Sequence, residues 1–133
     1  DAHNNLGLLL AKMERPDEAM VHFQMALRLN PNHANAHNNL GVMLAQMGRT
    51  DEAITHYRKA LEMDPVELDH LENLVFALVK KGRLADATSV LQNALALAKS
   101  AGDEARTQTI TQTLTKLYEA IISSQAASKA HAQ

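Results

Sequence analysis

Seven histidines are the most obvious source of chemistry in this 133-residue sequence. His33 and His37 stand four apart, a spacing that suits two metal ligands on one helix face. Pro31-Asn32-His33, however, reads as a helix junction, so the two rings need not share a face. His3 and His37 occupy equivalent places of an internal repeat, as do His22 and His56. Copying accounts for them without a metal. No cysteine is present, which excludes disulfides, thiolate metal sites and thiol catalysis. Ser89, Ser100, Ser123 and Ser124 have no evident base-and-orienter arrangement. Glu14, Asp17, Glu18, Asp51, Glu52 and Asp86 cluster at turns and helix starts, where they complement the helix dipole. No glycine-rich phosphate loop occurs. No catalytic residue, metal site or cofactor is expected, and the chain is not expected to act as an enzyme.

The sharper signal is a line of asparagines. Asn5, Asn39 and Asn73 recur every 34 residues, each just before a Leu-Gly or Leu-Val pair. A carboxamide offers both a donor and an acceptor, so each can grip a peptide main chain whatever its side chains. Each such bond is worth about 0.5–1.5 kcal/mol. The alternative is that each Asn bonds to its neighbouring repeat or faces solvent.

The elements that hold these asparagines follow from the duplication. Residues 35–68 repeat 1–34 with half of the aligned positions identical: DAHNNLGLLLAKMERPDEA becomes NAHNNLGVMLAQMGRTDEA. A third copy is divergent but keeps Leu74, Leu78, Gly82, Arg83, Ala87, Ala94 and Leu95. A 34-residue period signals helix–turn–helix units stacked into a solenoid. Apolar positions agree: Leu6, Leu10 and Met13, then Ala19, Phe23, Ala26 and Leu27, follow 3- and 4-residue spacing. Gly7 and Gly41 lack a side chain and invite close packing of a neighbouring helix. Pro16 suits an early helical place, whereas Pro31 and Pro65 stop the helices before them. Helices are expected near 1–13, 17–29, 34–47, 51–63, 67–81 and 84–100. Lys99 replaces the third proline, so the sixth helix can run on until Gly102 ends it. Asp103 then caps a seventh helix near 103–127 with an apolar stripe of Ile110, Leu114, Leu117, Tyr118 and Ile121. Thr107, Thr109, Thr111, Thr113 and Thr115 alternate as in a strand, but a lone strand at a solenoid end has nothing to pair with. The SSQAASKAHAQ tail is expected to fray.

Composition is consistent with this reading. Hydrophobic residues make up 46% but aromatics only 3%, so small side chains dominate helix-on-helix packing. A net charge of -2 supplies no basic excess for nucleic acid. No apolar run reaches the ~20 residues of a membrane span, so no membrane insertion is expected.

The spaced residues resemble the tetratricopeptide repeat (TPR) family. The first copy carries His3, Leu6, Gly7, Leu10, Ala19, Phe23, Ala26 and Pro31. The second carries His37, Leu40, Gly41, Leu44, Ala53, Tyr57, Ala60 and Pro65. The resemblance implies an all-α fold, a right-handed α-solenoid of three TPR units at 1–33, 34–67 and 68–101. A capping helix at 102–127 and a frayed tail at 128–133 would follow. The first helix reads as truncated at its start and the array as the C-terminal end of a longer one.

The resemblance also implies that the first helix of each unit lines a concave groove. NNLG and GRTDEAITHYRKALEMDP are most similar to the TPR superhelix of O-linked N-acetylglucosamine transferases and their bacterial relatives. There an asparagine ladder recognises extended polypeptide. Asn5, Asn39 and Asn73 match it, flanked by Asn4, Asn38 and Glu72, by the stripe Leu8, Val42 and Phe76, and by Lys12, Gln46 and Lys80. The stripe could anchor a partner side chain or helix, or pack on the solenoid itself. Chaperone-tail receptors hold a C-terminal carboxylate with basic residues where Asn4, Asn38 and Glu72 stand here, so that role is not expected. The expected function is a protein–protein interaction module binding an extended peptide or partner helix. The alternatives are the substrate-docking arm of a glycosyltransferase-like enzyme and a scaffold that self-associates through its exposed first helix.

Overall fold

The computed structural model describes residues 1–132 and consists of seven α-helices with no strand among them. These are α1 (Ala2–Lys12), α2 (Pro16–Leu29), α3 (Ala34–Gln46), α4 (Thr50–Met63), α5 (Leu68–Lys80), α6 (Leu84–Ser100) and α7 (Glu104–Ala132). Each packs on the next in sequence, while α1 also touches α3 and α3 touches α5. The result is a solenoid of helix pairs, with one buried layer running its length from Leu10 to Leu117.

The turn inside each pair is built the same way three times. The main-chain N–H groups of Arg15, Arg49 and Arg83 reach back five residues to the carbonyls of Leu10, Leu44 and Leu78. This closure needs a left-handed residue just before the arginine. Gly48 (φ 78°) and Gly82 (φ 73°) supply it in the later turns, whereas Glu14 (φ 57°) must do so in the first. Asp103 N–H closes on Ala98 in the same manner, after Gly102 at φ 69°. The junction from α6 to α7 therefore has the geometry of a turn within a pair. With Lys99 in place of proline, α6 continues to Ser100 and folds back as though beginning another hairpin.

Close approach within a pair depends on a missing side chain. A Cβ on Gly7 would lie 2.5 Å from Phe23 Cε1, and one on Gly41 would lie 2.6 Å from Tyr57 Cε1. The third unit solves the same contact differently. Val75 and Leu91, both buried, stand at the glycine and aromatic places. The two substitutions are one exchange of volume between facing helices.

The capping helix differs from expectation at its end. The tail from 128 remains helical through Ala132, and Gln133 lies outside the described residues. No Gly or Pro interrupts the run after Asp103. Extending an existing helix through Ser128, Lys129, Ala130, His131 and Ala132 requires only propagation, not nucleation. The threonine alternation is also resolved. The hydroxyls of Thr107, Thr109, Thr111 and Thr113 each donate to the carbonyl four residues back, so their period of two is compatible with a helix. Asp103 accepts from Arg106 N–H at 3.0 Å and caps α7 as expected. Ile110, Leu114 and Leu117 bury one side of α7.

Candidate functional site

Helices α1, α3 and α5 carry all twelve residues singled out for a groove, at the same three-and-four-residue steps in each unit. The asparagines do not all face outward. Asn39 Nδ2 donates to Asn4 Oδ1 at 3.0 Å, and Asn73 Nδ2 donates to Asn38 Oδ1 at 3.0 Å. Asn4 and Asn38 are buried by the neighbouring helix. The asparagine line is thus first a zipper between units, in which each carboxamide donates to the unit before it. Asn39 and Asn73 keep their oxygens and a second N–H for other partners. Asn5 has no unit ahead of it among the described residues and is exposed, while Glu72, at the place of Asn4 and Asn38, is exposed at the other end.

Two clefts open beside this zipper. One of about 250 Å³, between α1 and α3, is lined by Leu8, Lys12, Asn39, Val42 and Gln46 over Phe23. The other, of about 400 Å³, is lined by Val42, Gln46, Asn73, Phe76 and Lys80 over Tyr57. Each of these residues in the second cleft stands 34 positions after its counterpart in the first, so it is one cleft made twice. The expected residues Leu8, Val42, Phe76, Asn39, Asn73, Lys12, Gln46 and Lys80 are brought together. Asn4, Asn5, Asn38 and Glu72 line neither cleft. The stripe does not pack on the solenoid throughout: Phe76 is 73% exposed. The cleft floors, Phe23 and Tyr57, were legible only as core residues.

The histidines form pairs that their spacing alone did not suggest. His3 and His22 stack with Nδ1 atoms 3.1 Å apart, and His37 and His56 repeat the contact at 3.0 Å. His37 Nε2 donates to the Pro31 carbonyl at 2.9 Å, which leaves its Nδ1 as the acceptor and makes His56 Nδ1 the donor. Burial is the largest influence on both rings and holds both below the usual histidine range, with Lys59 adding to it. His33 does not join them. Its Nδ1 accepts from Ala36 N–H as the cap of α3, and its Nε2 lies 3.3 Å from Asp1. Among the described residues no three His, Asp or Glu converge as a metal set. At the equivalent pair in the third unit stand Leu71 and Val90, which line an apolar cleft of about 310 Å³ with Leu61, Pro65 and Leu97. Among the described residues no helix is long and apolar enough to cross a membrane.

Two family models, each described as tetratricopeptide repeat, match residues 1–65 and 44–108. No curated protein matches the chain. Solved structures share the fold. PcrH in complex with the chaperone binding region of PopD has a TM-score of 0.72 at 23% identity, over 89% of this chain and 90% of that one. The Yersinia enterocolitica type III secretion translocator chaperone SycD gives 0.69 at 24%, over 88% and 81%. The first TPR of Spaghetti (RPAP3), bound to the HSP90 peptide SRMEEVD, gives 0.72 at 16%, over 91% and 94%. With the helix pairs, the repeated turns and both matches in agreement, the chain belongs to the tetratricopeptide repeat family.

Proposed function

We propose that this chain is a protein-interaction module that holds an extended segment of a partner protein across α1, α3 and α5. The observation that carries the reading is the cleft made twice, 34 residues apart, on one face. Each copy joins an apolar wall, a half-buried Asn with unused hydrogen-bonding capacity, and a long polar side chain at the rim. Such a face takes apolar side chains into the clefts, worth about 1.5–3 kcal/mol for each one fully buried. Main-chain groups of the segment meet Asn39 and Asn73. Similar folds support the reading, since PcrH is seen with a region of PopD and the RPAP3 repeat with an HSP90 peptide. A strongly acidic C-terminal tail fits this face poorly, because Glu72 is exposed beside it and Asn4 and Asn38 are buried.

The test is an array of peptides of about ten residues, enough to cross three helices at ~3.3 Å per residue. It is read with the wild type and with Phe76→Ser. Because Phe76 is largely exposed, the variant is expected to keep its melting temperature and to lose at least tenfold in affinity for the captured peptides. Equal capture by both proteins would overturn the reading.

A further inference from the structure

The two histidine pairs take no part in the peptide clefts. Each joins the two helices of one unit: α1 meets α2 through His3 and His22, and α3 meets α4 through His37 and His56. The ring centroids are 5.4 and 5.3 Å apart, yet the Nδ1 atoms are only 3.1 and 3.0 Å apart. The rings therefore meet at their Nδ1 edges. Two nitrogens at these separations, each ~2.0–2.1 Å from one ion, subtend about 95° at it. Adjacent ligands of an octahedral or square-planar shell stand at nearly that angle. The ion would sit beside the line between the nitrogens, so each ring turns towards it by a few tens of degrees.

The second pair also has the protonation a ligand needs. His37 Nε2 donates to the Pro31 carbonyl, which leaves a free lone pair on Nδ1. Metal-bound imidazoles are commonly oriented in this way, with the opposite N–H on a carbonyl. His56 Nδ1 carries the proton of the ring-to-ring bond. Its Nε2 has no partner among the described residues, so the proton can move there and free Nδ1 without leaving the ring. Burial disfavours the imidazolium form of both rings, so they are neutral near pH 7. His56, His3 and His22 are each half-buried, which gives an ion and its water ligands a way in.

Glu18 and Glu52 stand four residues before His22 and His56, but Arg15 and Arg49 hold both carboxylates. No third protein donor converges on either pair. Lys59 acts on both rings of the second pair, whereas Met25 takes its place in the first unit. We propose that each histidine pair is a site for a late first-row divalent cation, bound in cis through the two Nδ1 atoms with water in its other positions. The first pair binds more tightly, because no lysine stands at the place of Lys59. The third unit has no such site, since Leu71 and Val90 occupy the same places.

Zn²⁺ is the probe, because its filled d shell imposes no angle of its own. It is titrated near neutral pH into the 133-residue chain and two variants, His3→Leu with His22→Val and His37→Leu with His56→Val. Calorimetry gives the number of ions bound, and imidazole nitrogen chemical shifts give the coordinating atom. The wild type is expected to take up two ions with the Nδ1 signals of all four rings moving. Each variant should lose one ion, and the site left in the His37→Leu, His56→Val protein should be the tighter. His56→Gln should weaken the second site at least tenfold while leaving the first unchanged. Coordination through Nε2 would overturn the proposal. So would shifts confined to His33, His131 or the terminal amine, or an equal number of ions in wild type and variants. The wild-type shifts decide the matter even if a double variant unfolds.

Discussion

Asn73 donates its side-chain N–H to Asn38 across 3.0 Å, and 34 residues earlier Asn39 does the same to Asn4. One residue type at one repeat place therefore stands at both the zipper and, under the proposed function, the peptide contact. It ties each unit to the one before, and it presents its remaining hydrogen-bonding capacity to the clefts. Both meet in the same side chain, so a loss of peptide binding on replacing Asn39 or Asn73 cannot be separated from a loosened solenoid. Phe76 therefore tests the proposed peptide contact, whereas Asn38 tests the zipper.

Asn38→Ala removes the buried acceptor and leaves the Asn73 donor without it. The expected cost is about 1–2 kcal/mol, read from urea unfolding with an unchanged slope. In a double-mutant cycle, Asn73→Ala should add little once Asn38 is gone, giving a coupling of about 0.5–1.5 kcal/mol. Simple additivity of the two substitutions would show that the bond contributes nothing in solution.

Gly41→Val drives a branched side chain into the Tyr57 ring, where even a Cβ would approach within 2.6 Å. Tyr57 is buried and its ring would have to shift towards the cleft it floors, so the single change is expected to destabilise by about 1–3 kcal/mol. Tyr57→Leu alone leaves a void of similar consequence. The combination Gly41→Val with Tyr57→Leu copies Val75 and Leu91. It should recover stability to within about 1 kcal/mol of wild type by thermal or urea unfolding. A double variant as unstable as the sum of the singles would show that the exchange in the third unit depends on something other than this contact.

The fold was legible because its causes are local and repeated. Pro31 and Pro65 end helices wherever they occur, and Asp103 caps α7 from three residues away. The row of residues that line the two clefts was legible in part. A 34-residue period places Leu8, Val42 and Phe76 in one row without knowledge of the tertiary structure. What the period does not reveal is the direction of each side chain relative to the next unit. Asn4 and Asn5 are adjacent and chemically identical, yet Asn4 is buried as an acceptor in the zipper while Asn5 is exposed at its free end. That difference of about 100° around a helix is decided by the neighbouring unit's packing. The histidine pairs were hidden for the same reason. Both members recur with the period, but only the fold-back of α4 on α3 shows that His56 meets His37.

The buried His37–His56 pair contributes to the loss of stability in acid. Burial lowers both folded pKa values below the usual 6.5, so the unfolded chain takes up these protons first. Stability from the pair is fully present above about pH 6.5. It declines as pH falls through that value and on through the lower folded values, because protonation places charge on two rings that burial has removed from water. Glu52 opposes the shift on His56, and Lys59 reinforces it on both rings. Replacing the pair by His37→Leu with His56→Val copies the buried Leu71 and partly buried Val90 of the third unit, which carry no charge. Urea midpoints measured near pH 7.5 and near pH 5.5 should fall on acidification in the wild type and fall distinctly less in the double variant. Identical losses in the two proteins would place the acid sensitivity elsewhere in the chain.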